Sequence, residues 1–140
     1  MMETTREMKR RTIDITLPDR DFSVRSKLHN FTTALGIKSE HKGAGYILEA
    51  GEAILAARRA GHAFADISMI HLCASIGERH NKSWQSVERT MRYTIEYCFN
   101  EGNSELLEAV FGGTISCESG KVTTKAFLCG LIAYLFEEAL

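Results

Sequence analysis

The sequence predicts an all-α domain of about six helices, and three observations carry that expectation. Pro18 is the only proline among the 140 residues, so the chain after it runs on without the residue that breaks a helix interior. Beyond that proline, apolar residues recur at intervals of three and four, the spacing of a helix with one buried face. Ser, Asp, Asn and Gly stand at the ends of these periodic stretches, where caps and stops belong. With 44% hydrophobic and 25% charged residues, a chain of this length can build one core without metal or disulfide staples.

Residues 1–20 read as a basic N-terminal arm or a short extended segment. Within it, Ile13, Ile15 and Leu17 alternate along one side of Thr12 to Leu17. The helical domain occupies residues 21–140. Its first helix, capped by Asp21 or Ser23, carries Val24, Leu28, Phe31 and Leu35 at helical spacing and stops at Gly36. A loop through Lys42 and Gly43 leads to a second helix from about Gly45 to Arg59, with Tyr46, Ile47, Ala50, Ile54 and Ala57 inward. That helix ends at Gly61, with Arg58 and Arg59 favourably placed in its last turn. A third helix starts near Asp66 and ends near Arg79.

The fourth helix is the most informative. Ser83 is its N-cap and Gly102 its stop, which defines nearly five turns. Steps of 100° put Trp84, Val87, Met91, Ile95 and Cys98 on one side. Lys82, Gln85, Arg89, Arg92, Tyr93 and Glu96 fall on the other, with Ser86 at one margin of that polar face and Glu88 at its opposite edge. A short helix from Ser104 to Val110 follows, then a loop through Phe111, Gly112, Gly113 and Thr114. The last helix, from about Thr123 to Ala139, carries an apolar double stripe of Phe127, Leu128, Leu131, Ile132, Leu135 and Phe136.

Composition excludes several classes of function. The longest uncharged apolar stretch, Ala126 to Phe136, is far shorter than the roughly 20 residues that span a bilayer, so no membrane helix is expected. The N-terminus is basic but lacks an apolar core and a cleavage site, which makes the expected location cytoplasmic. Cys73, Cys98, Cys117 and Cys129 are widely spaced among apolar neighbours and read as reduced core filler. No metal or other cofactor is expected, because His71, Cys73 and His80, which only folding could bring together, lack the close ligand pairs of a zinc site. Neither is an enzyme. There is no serine elbow, no His-Glu-x-x-His and no phosphate loop after a strand, and Gly43-Ala44-Gly45 and Gly112-Gly113 read as turns. A small-molecule substrate is therefore not expected either.

The remaining chemistry lies around Asn81. A helix, a short turn and a second helix whose exposed face carries Lys, Gln, Ser and two Arg is the composition of a helix-turn-helix. On such a face Arg89 can pair bidentately with guanine, Gln85 with adenine, and Glu88 can accept from cytosine. Lys82, Arg92 and Tyr93 can hold phosphates, and the helix start at Ser83 offers amide donors to another. Net charge is -1, but residues 1–43 carry +3 and residues 101–140 carry -4, so nucleic-acid binding must rest on a local patch. The basic arm of Arg6, Lys9, Arg10 and Arg11 either tracks DNA or is simply solvated.

These blocks resemble a known family. Ser86-Val87-Glu88-Arg89, Arg92, Ile95-Glu96 and Gly102-Asn103, with Lys42-Gly43, Tyr46 and Glu49-Ala50 upstream and Phe111-Gly112 and Thr114 downstream, are similar in order and spacing to the C-terminal DNA-binding effector domain of the sporulation initiation response regulator. The resemblance covers about residues 28–136. It implies an all-helical fold with a helix-turn-helix and control of transcription by binding double-stranded promoter DNA. It also implies base reading by an arginine, a glutamate and a second arginine, which fall on Ser86, Glu88 and Arg89 here. Serine cannot make the bidentate guanine contact, so specificity is expected to change at that position. Leu72-Cys73-Ala74 departs from the family in the first helix of the motif, and no receiver domain fits before residue 28, as in a stand-alone effector or a fragment. A homodimer on tandem sites is implied by the resemblance alone. The competing reading is an interaction module that has lost DNA reading and pairs with a related regulator.

Overall fold

A computed structural model describes Leu17 and residues 22–112 and 122–137. Six α-helices are present among these residues: α1 Phe22–Leu35, α2 Lys42–Arg59, α3 Met69–His80, α4 Trp84–Glu101, α5 Ser104–Phe111 and α6 Thr124–Ile132. The all-α architecture expected from the sequence is the one found. Of the basic arm and the extended segment only Leu17 is described, and it packs against the core. Cys117, Gly113 and Thr114 also lie outside the described residues.

The second helix, α2, runs through the middle of the domain and packs against α1, α3, α4 and α6. Its burial extends well beyond the expected stripe, to Leu48, Ala53 and Leu55 and to the carboxylates Glu49 and Glu52. The middle of this helix is enclosed by its neighbours, so each buried acid there needs a cation. Arg25 of α1 reaches Glu52 at 2.8 Å. Arg79 and His80, at the end of α3, both reach Glu49.

Several boundaries differ from expectation. The second helix begins at Lys42, so Gly43-Ala44-Gly45 is helical and not a turn. At Gly43 the backbone of α2 comes so close to α4 that a Cβ would meet the Thr90 carbonyl at 2.7 Å. Ser23 lies inside α1, whose first residue is Phe22, and Asp21, the other cap expected for it, lies outside the described residues. Before α3 the chain makes a single 3-10 turn, Phe64–Asp66, and Ser68 supplies the cap by accepting from the His71 amide at 3.2 Å. Phe111 belongs to α5, because its ring stacks on Phe127 of α6 at 4.9 Å. The last helix is α-helical only to Ile132, then widens into a π turn, Ala133–Glu137.

Two stops behave as the sequence suggested. Gly36 has φ 116° and ends α1, while Gly61 has φ 98° and ends α2. Gly102 stops α4 by a different route, since its φ of -88° suits any residue. Its amide donates to Cys98 at 2.7 Å and the next amide, of Asn103, donates to the Leu35 carbonyl at 2.9 Å, so two helix ends share their unpaired backbone groups.

Candidate nucleic-acid interface

The site is built on the turn between α3 and α4. Asn81 ends α3 in the left-handed region, φ 60° and ψ 47°, a conformation that asparagine tolerates better than most residues. The following amide, of Lys82, donates to the Gly77 carbonyl at 2.8 Å and closes a Schellman-type end. Gly77 lets this happen, because a Cβ there would run into the Lys82 carbonyl. One residue later Ser83 caps α4, its Oγ accepting from the Ser86 amide at 3.1 Å. Four consecutive steps thus fix the angle at which α4 leaves α3.

The polar face of α4 is where the wheel puts it. Val87, Met91, Ile95 and Cys98 are buried, whereas Lys82, Gln85, Arg89, Arg92 and Tyr93 are exposed. Tyr93, at 58% exposure, is one of the few large hydrophobic side chains open to solvent among the described residues, and Arg92 lies over its ring at 5.4 Å. Trp84 is half-buried against the core and lines a groove with Ala74 and Gly77, as packing against the preceding helix requires.

The two margins of the face differ. Ser86 is half-buried on one. On the other, Glu88 is half-buried, and its Oε2 accepts from Arg92 Nε and Thr124 Oγ1, each at 3.4 Å. Glu88 is therefore tied to the first turn of α6 as well as to its own helix. Sequence reasoning missed two neighbours of this face, Thr94, which is buried against Gly43, and His41, whose ring packs edge-on to Tyr97 at 4.5 Å. Neither has a one-dimensional signal, since both depend on α2 crossing α4.

The described cysteines offer no chemistry of their own. The Cys73 thiol is pushed up to about 12 by burial and then by the charge of Glu88, and burial pushes Cys98 up to about 11. Burial raises Cys129 as well. Such thiols are inert at neutral pH. His71, Cys73 and His80 do not come together, and among the described residues no group of three or more His, Cys, Asp or Glu is arranged to hold a metal ion. Nor is any described helix long and apolar enough to cross a membrane.

A capped helix with an exposed polar face, held behind a Schellman turn on an all-α frame, is the arrangement of a helix-turn-helix. Residues 28–135 match the family described as Sporulation initiation factor Spo0A C terminal, an all-helical DNA-binding domain of transcription regulators and not a family of enzymes, and the chain belongs to that family.

Proposed function

We propose that this chain is a sequence-specific transcription regulator that reads promoter DNA by laying α4 in the major groove. The observation that carries the reading is the exposed face of α4, which presents Arg89, Arg92 and the Gln85 amide on one capped helix, with Lys82 exposed in the turn just before its cap. Gln85 and Arg89 have the reach and donor pattern for adenine and guanine edges, Glu88 can accept from cytosine, and Ser86 offers a single hydroxyl. Lys82, Arg92 and Tyr93 hold phosphates on either side. The Ser83 hydroxyl accepts within the cap and still has its own proton to give to a phosphate. On this reading the chain acts on the chromosome in the cytoplasm, as two copies side by side on tandem sites.

Ser86 favours one alternative. Where the family places a guanine-reading arginine, this chain has a hydroxyl, as in a module that pairs with a related regulator without reading DNA itself. A salt titration separates the two. With four to six phosphate contacts, affinity for a duplex falls by roughly two to three orders of magnitude between about 50 and 200 mM salt. Absence of duplex binding at the low-salt end contradicts the proposal and favours the interaction module.

A further inference from the structure

The polar face of α4 is bordered by two other elements. The first turn of α6 lies along the Glu88 margin, where Thr124 meets Glu88. Along the opposite margin, the start of α2 packs onto Thr90 and Thr94, and these residues with Tyr97 line an open groove of about 290 Å³. His41, Lys42 and Tyr93 complete its lining, so among the described residues its walls carry a cation, hydroxyls and an imidazole but no carboxylate.

The polar groups of this groove differ in what they have left to donate. Lys42 is exposed in the first turn of α2, beside Gly43, whose missing side chain brings α2 down onto Thr90 and Thr94. His41 Nδ1 accepts from the Lys38 amide at 3.3 Å, which leaves Nε2–H as the donor of the neutral ring. The Thr90 and Thr94 hydroxyls are already turned back onto helix carbonyls, at 2.8 and 3.0 Å. Lys42, His41 and the hydroxyls of Tyr93 and Tyr97 are therefore the groups that remain for an anion, and Lys42 and Tyr93 are the exposed ones among them.

We propose that Lys42, with His41 and Tyr93, forms a second backbone clamp that takes a DNA phosphate flanking the groove read by α4. A helix with its side chains is about as wide as the major groove, so a helix seated there has a sugar-phosphate strand on either side of it. The start of α2 is the element standing at one of those sides. This site rests on the DNA-reading role of α4 and extends it to a part of the chain outside the helix-turn-helix.

The test compares two substitutions that remove the same charge from different places. Lys42→Ala empties the clamp, whereas Lys27→Ala removes a lysine of α1 that sits over Phe136 at 5.1 Å, near the other end of the chain. Affinity of the full chain for a random duplex and for a selected one is measured from about 50 to 200 mM salt, with thermal melts confirming that both variants are folded. Lys42→Ala is expected to lower affinity for both duplexes alike, roughly fivefold to tenfold near 100 mM salt, and to reduce the salt slope by about 0.9. Lys42→Arg restores the slope, and Lys27→Ala leaves it unchanged. If the parent binds DNA and Lys42→Ala matches Lys27→Ala, the clamp is wrong while the reading by α4 stands. If the parent binds no duplex at all, both are overturned.

Discussion

The carbonyl of Gly77 accepts from the amide of Lys82 at 2.8 Å, and the carbonyl of Lys82 occupies the space that a Cβ on Gly77 would need. This close approach couples the last turn of α3 to the first turn of α4. The orientation of the polar face is thus set by backbone contacts and not by the residues that would read DNA.

Gly77→Ala is expected to destabilise the domain. A helix interior normally gains from this exchange, but here the methyl displaces a carbonyl, and overpacking of that kind costs about 1–3 kcal/mol. The melting temperature should drop by several degrees, with weaker duplex binding at temperatures where the variant is still folded. Gly45→Ala is the control. Nothing lies within 4 Å of a Cβ at Gly45, so the same exchange there should raise stability by up to about 1 kcal/mol.

The carboxylate of Glu49 is 7% exposed and depends on Arg79 and His80, the last two residues of α3. Removing both partners leaves a buried charge unpaired, which costs about 2 kcal/mol or more, whereas Glu49→Gln removes the charge itself and should cost less. Urea denaturation of the Arg79→Ala/His80→Ala double variant beside Glu49→Gln measures the difference. The order should be the same at any salt concentration that leaves the fold intact.

Arg58 and Glu137 form a two-pronged ion pair at 2.8 and 3.0 Å that ties the end of α2 to the final π turn. The hydrogen bond from Arg58 holds the Glu137 carboxyl below its ordinary 4.5. A carboxyl depressed in the folded state contributes stability above the unfolded value and loses it as pH falls through the folded one. Stability should therefore decline below about pH 4.5 by an increment that Glu137→Gln abolishes. Because both side chains are about a quarter exposed, at 29% and 26%, the increment should not exceed about 1 kcal/mol.

Ser86→Arg should restore a guanine preference at one operator position. A bidentate arginine pair discriminates by about 1–3 kcal/mol, a factor of roughly five to 150 in relative affinity for duplexes that differ at a single base pair. Competition binding with the four possible base pairs at that position measures it.

What the sequence made legible was local. Ser83 and Gly102 bracket α4 because each acts on backbone within a turn of itself, and the buried and exposed sides of α4 follow from the 100° step. Most of the missed features depend on a partner distant in the chain. Gly43 is helical because Thr90 and Thr94 receive it, Glu49 is buried because α3 returns to cover it, and Phe111 extends α5 because Phe127 stacks on it. Glu88 shows the same division. Its place on the edge of the polar face was legible in the pattern, but its bond to Thr124 was not.

The most direct test of DNA reading is selection of bound sequences from a random duplex library at about 100 mM salt, with Arg89→Ala carried in parallel. The account predicts that the parent enriches a defined motif and that the variant loses preference at one guanine of it while keeping its remaining positions. A parent that enriches no motif, or a variant that returns the same motif unchanged, would contradict the assignment of α4 as the reading helix.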